Sequence, residues 1–144
     1  HVLMNLDSEG AGLRFVRVRY DGSDLRTLSS TIPGSGHPTL HADGRHVLTD
    51  AYPQEPVAYG DGTIPIRWID LTESRETALV RIHTRSPYEQ ATPALRVDPH
   101  PAWDRPFERI AFNACPDGRR RVYVADLSSQ VAGGSPRASA SPHE

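Results

Sequence analysis

The chain has 144 residues, a formal net charge of −2, 37% hydrophobic residues and 24% charged residues. This composition excludes a disordered polyelectrolyte, and the slight acidic excess argues against a nucleic-acid binder held by phosphate contacts. No apolar run approaches the roughly 20 residues of a bilayer-spanning helix, and the single cysteine, Cys115, excludes an internal disulfide or a thiolate metal cluster within one chain.

The 16 basic residues are all Arg, scattered among 18 acids. Only Arg119, Arg120 and Arg121 form a run, which reads as a solvated hairpin turn. The 11 Gly and 13 Pro together exceed the roughly 12% of an average protein, so short elements and many turns are expected. In chain order, Phe15 to Tyr20 alternates polar and apolar residues and predicts a strand, closed by the turn dipeptide Asp21-Gly22. Arg45 to Asp50 predicts a second strand after the turn Asp43-Gly44. Pro53 to Gly62 reads as a long surface loop. Ile64 to Leu71 and Thr77 to His83 predict a third and fourth strand, and Arg109 to Asn113 and Arg121 to Leu127 two more. No window sustains the apolar spacing of a helix, so the fold class is all-β with antiparallel hairpins. His41, His46 and His83 fall on turns or outer strands and read as solvated. From residue 132 to 144 the chain carries no large apolar side chain and predicts a disordered tail behind a folded region of residues 1–131.

An internal repeat sets the architecture. His37-Pro38-Thr39-Leu40 aligns with His100-Pro101-Ala102-Trp103 at an offset of 63, and the ungapped match continues through Asp50 against Asn113 to Pro53 against Pro116. Asp70-Leu71 aligns with Asp126-Leu127 at an offset of 56, so the first copy has about seven extra residues in its loop. A period near 60 with several strands per unit suits a propeller blade. Residues 13–30 supply two strands of one blade, 36–84 a complete four-stranded blade, and 98–128 three strands of another. That is two to two-and-a-half four-stranded blades, and a propeller ring needs at least four. The sequence therefore reads as the C-terminal blades of a longer propeller, or else as a small chain that self-assembles.

The unit His37 to Asp50 resembles the HPxxSPDGxxIxFT repeat of TolB-type, WD40-like propellers, and Arg121 to Leu127 resembles its third strand. Within that group the segments Gly34 to Pro53 and Asp98 to Trp103 are most similar to the oligogalacturonate lyases. The resemblance implies a seven-bladed intact protein that binds manganese in its central cavity through three His and one Gln. It also implies β-elimination on uronate oligosaccharides. His37 falls at one ligand position. The other ligands belong to a QxxHxHP stretch that here reads Leu95 to Pro101. His100 is kept, Asp98 replaces the first His, and Leu95 stands where the Gln would be. The family's catalytic His and substrate-binding Arg residues belong to earlier blades.

Both His37 and His100 precede an inner strand, and equivalent inner-strand positions converge on the propeller axis. Asp98 and His100 stand at i and i+2, which share a face in an extended segment. Two imidazoles and a carboxylate suit manganese, iron or zinc. Alternatively the rings merely hydrogen-bond backbone between blades. Arg96, on the same face, either holds a substrate carboxylate or pairs with Asp98. Asp50 and Tyr52 end a strand, and either contact a sugar or cap a turn and pack. Two functions follow: part of a metal-assisted lyase acting on an oligosaccharide, or a non-catalytic TolB-like module that binds protein partners.

Overall fold

The period-2 runs of Val, Ile, Tyr and Trp pair into three antiparallel meanders. The computed structural model describes residues 1–7, 10–84 and 97–132. The first sheet contains β1 (Val2–Asp7), β2 (Leu13–Val18) and β3 (Arg26–Thr27). The second contains β4 (Thr39–Leu40), β5 (His46–Thr49), β6 (Thr63–Asp70) and β7 (Arg75–His83), hydrogen-bonded in that order. The third contains β8 (Ala102–Trp103), β9 (Arg109–Ala114) and β10 (Arg121–Asp126), followed by one short helix, α1 (Ser128–Ala132). No helix among the described residues is long and apolar enough to cross a membrane.

The repeat read from the sequence recurs in the backbone hydrogen bonds of the turns. In the second sheet, the β4–β5 turn closes with His41 N–H donating to the His46 carbonyl at 2.8 Å and Gly44 N–H to the His41 carbonyl at 3.0 Å. At an offset of 63, Asp104 N–H donates to the Arg109 carbonyl at 2.9 Å and Phe107 N–H to the Asp104 carbonyl at 3.1 Å. Gly44 takes a φ of 69° and Phe107, its counterpart, a φ of 60°. Glycine adopts that region without strain, whereas a bulky side chain there must be held by its surroundings. The Asp-Leu motifs match as well. Asp70 Oδ1 accepts the N–H of Thr72 and Asp126 Oδ1 that of Ser128, each at 2.9 Å.

Packing follows from burial on both faces of the middle sheet. Val47 and Ile69 join Phe15 and Ile32 between the first and second sheets. Leu48, Ile66 and Trp68 point the other way and meet Ile110, Phe112 and Leu127 of the third. All eight positions of β6 are therefore buried, Arg67 included. The Arg67 guanidinium makes a paired contact with Glu76 through Nε and Nη2, both bonds 2.8 Å, and Nη2 also donates to the Pro33 carbonyl at 3.1 Å, while Nη1 has no hydrogen-bond partner. Each sheet lies face to face against the next, which is the arrangement of propeller blades.

Three expectations change. The first sheet has three strands rather than two, because Val2 to Asp7 pairs along its whole length with β2. His41, expected to be solvated, is 7% exposed, because Trp103 and Phe107 of the third sheet close over a ring that local sequence places on a turn. Ala132, assigned to the tail, ends α1, and the rest of that tail, residues 133–144, lies outside the described residues, as does Arg96.

Candidate metal centre

The segments that lead into β4 and β8 carry the two His-Pro motifs, and the chain beneath fixes where they run. Ser35 is wholly buried, with its carbonyl accepting from Thr49 Oγ1 at 2.9 Å and its Oγ accepting from Tyr52 N–H at 3.0 Å. Gly36 follows with a φ of 69°, and a Cβ there would sit 2.3 Å from both the carbonyl oxygen and Oδ1 of Asp50. Only glycine fits that backbone so close to the carboxylate. Asn5 of β1 donates to the Gly36 carbonyl at 2.6 Å. In the third sheet, Asn113 holds the equivalent segment, donating from Nδ2 to the Asp98 carbonyl at 3.2 Å. The residue near the end of each second strand thus pins a segment at the hub.

Asp50 does this for two sheets at once. Its carboxylate accepts the His37 N–H at 2.5 Å and the His100 N–H at 3.2 Å, and it lies 3.0–3.1 Å from His37 Nδ1. An ionised carboxylate can only accept, so His37 Nδ1 carries the ring proton and Nε2 keeps its lone pair. A carboxylate behind a histidine is the usual outer support of a histidine metal ligand, since it fixes both tautomer and ring direction.

The His37 and His100 rings stack with centroids 3.5 Å apart and planes 21° from parallel. His100 is exposed and takes a φ of 44°, a left-handed conformation that costs a non-glycine residue about 1–2 kcal/mol. Asp98 completes the group. One donor atom from each of His37, Asp98 and His100 lies within 4.8 Å of the others. The donor set fits a divalent ion of the manganese, iron or zinc kind. Ligands about 2.1 Å from a shared ion stand about 3–4 Å apart, and the ion lies in the plane of each imidazole, so loading requires one of the two stacked rings to turn as the side chains close.

An open groove of about 530 Å³ runs past the pair, lined by Leu3, Asn5, Thr39, Tyr52, His37 and His100. Tyr52 meets His37 edge-on at 5.4 Å and faces this groove. Asp50 does not: it is wholly buried beneath the rings, so of its two readings the structural one describes it, as an acceptor that orients His37 and His100. Asn5, Ser35 and Gly36 were not singled out from the sequence. Their contributions come from backbone contacts between sheets, which residue identity alone does not announce. Asn113 was visible as the partner of Asp50 in the repeat.

Comparison with protein-family models found no match, and neither did comparison with curated protein sequences. Solved structures do match. TolB from Acinetobacter baumannii superimposes with a TM-score of 0.55 and 14% identity over 82% of this chain and 25% of its own. An oligogalacturonate lyase in complex with manganese superimposes with a TM-score of 0.61 and 17% identity over 87% of this chain and 31% of its own. The chain thus spans between a quarter and a third of these proteins. At such identities the likeness establishes the fold: a set of β-propeller blades, similar to those of TolB and the lyase.

Proposed function

We propose that this chain supplies the divalent-metal corner of a propeller lyase that acts on uronate oligosaccharides. The observation that carries the proposal is the convergence of His37, Asp98 and His100 from two sheets, with Asp50 behind His37. The manganese named with the lyase neighbour is consistent with that donor set. A bound divalent ion would neutralise a uronate carboxylate and so acidify the C–H beside it. His37, Asp98 and His100 hold the ion, Asp50 sets the direction of the His37 lone pair, and Tyr52 forms one wall of the groove. The base that removes the proton is not assigned to this chain.

Manganese(II) titration followed by electron paramagnetic resonance tests the metal assignment. One ion per chain is expected, with affinity lowered at least about tenfold in His37→Ala, Asp98→Asn and His100→Ala. Wild-type protein that takes up no manganese overturns it. Cleavage of a uronate oligosaccharide by the intact protein, read as the new C=C absorbance, tests the reaction separately.

A second reading is a TolB-like module that binds protein partners, and one observation favours it. Val122 and Val124 on β10 are each 69% exposed. Partner capture that survives His37→Ala and His100→Ala but is lost in Val122→Asp would select this reading.

A further inference from the structure

A second cluster lies at the opposite end of the β4–β5 hairpin, in the turn that joins the two strands. His41, Asp43 and His46 each bring one donor atom within 4.8 Å of the others. One oxygen, Asp43 Oδ2, stands 3.0 Å from His41 Nδ1 and 2.7 Å from His46 Nδ1. Hydrogen bonds alone leave this arrangement mismatched at His41, where the ring has a reason to keep its proton on Nε2. His41 Nδ1 lies 3.3 Å from the Asp43 N–H, which needs an acceptor. His41 Nε2 has no hydrogen-bonding partner and is buried among Trp103 and Phe107, which meet the ring edge-to-face at 5.2 Å and 5.4 Å. Aromatic faces accept an N–H, not a lone pair. His46 Nδ1, 2.7 Å from Asp43 Oδ2, donates its proton to that oxygen. With the His41 proton on Nε2, the His41 Nδ1 lone pair faces an Asp43 oxygen that already accepts from His46 Nδ1, and loss of that one proton leaves both Nδ1 atoms and the carboxylate free to ligate. A divalent cation in place of the His46 Nδ1 proton relieves the repulsion at His41.

We propose that His41, Asp43 and His46 form a second metal site, for a borderline divalent ion of the zinc and cobalt class, separate from the hub. Two imidazole nitrogens and one carboxylate oxygen are ligands that such ions favour, with water completing the coordination. Asp70 lies 3.7 Å from His46 Nε2, and Arg45 holds Asp70 in place through bonds of 2.9 Å and 2.5 Å. Asp43 is exposed and His46 half-buried, so an ion reaches the turn from solvent while the His41 ring anchors it from inside.

The protein has two tryptophans, and both lie against this cluster. His46 stacks on Trp68 with centroids 4.5 Å apart, and Trp103 contacts His41. Cobalt(II) bound here should therefore quench tryptophan emission. The experiment titrates cobalt(II) into the His37→Ala/His100→Ala double variant, which lacks the hub pair, and follows emission and the visible d–d bands. Expected is saturable quenching by one ion, reversed by zinc(II), with affinity at least about tenfold weaker when His46→Gln or Asp43→Asn is added. Asparagine keeps an acceptor for the turn N–H groups and removes only the charge, so that variant separates loss of a ligand from loss of the fold. No saturable quenching in a protein that retains its β-sheet circular dichroism overturns the proposal. So does a His46→Gln variant that titrates like its parent.

Discussion

Replacing Asp50 by Asn changes one atom and tests the logic of the hub. In the native arrangement the carboxylate accepts from two backbone N–H groups and from His37 Nδ1–H. Asparagine has one acceptor and one donor group. With Oδ1 kept on the His37 N–H, the amide nitrogen faces the His100 N–H, donor against donor, and His37 Nδ1. The His100 bond, 3.2 Å and to a charged acceptor, is lost, at about 1.5–3 kcal/mol. The amide N–H donates to Nδ1, so the His37 proton moves to Nε2 and the lone pair meant for a metal disappears. Removing such a support lowers metal affinity by about 10–100-fold. Urea unfolding reads the first effect and manganese titration the second. Asp50→Asn that binds manganese as the wild type does, while unfolding at lower urea, would refute the tautomer argument and leave Asp50 a purely structural clamp.

Gly36→Ala should be severe for a different reason. Its φ of 69° costs alanine about 1–2 kcal/mol, and the Cβ meets the Asp50 backbone at 2.3 Å, so thermal unfolding should drop by several degrees and manganese uptake should fall with it. Leu48→Ala empties a wholly buried position between the second and third sheets and should destabilise by about 2–5 kcal/mol in chemical denaturation, with no change in the residues of either metal cluster. Stability should also fall in acid. The Arg45 guanidinium, with the Thr72 and Glu73 N–H groups, holds the Asp70 carboxyl well below its ordinary value of 3.8. That contribution is complete above the ordinary value and fades as pH drops below it. Asp70→Asn should therefore unfold more readily at pH 7 and show a shallower loss of stability below pH 4, measured by urea midpoints across the range.

The parts of this fold that were legible in the sequence are those set by short-range pattern. β6 and β7 announce themselves through runs of Ile, Trp and Val, and the two blades through His37 against His100 and Asp70 against Asp126. β1 was not legible, because Leu3, Met4 and Leu6 mix with Asn5 and Asp7 without clean alternation, and only pairing with β2 makes the segment extended. The inner strands β4 and β8 are two residues each, too short to carry a period. At the hub, the candidate trio His37, Asp98 and His100 was visible from the repeat and the i, i+2 spacing. The role of Asp50 was not, because it depends on a single carboxylate reaching the next sheet. His41 shows the same limit: nothing near it in sequence foretells that Trp103 and Phe107, some sixty positions on, will cover it.

The far margin of the third sheet has a practical bearing on how this protein behaves in concentrated solution. Among the described residues β10 has a strand neighbour on one side only, and its free flank is six residues long with valines turned to water. Backbone groups left open along such a flank invite another strand, from the same molecule or a different one. Arginine at 121 and aspartate at 126 bracket the stretch with opposite charges, which slows head-on zipping without preventing it. A lysine in place of Val122 should keep preparations monodisperse at concentrations where the native chain begins to associate.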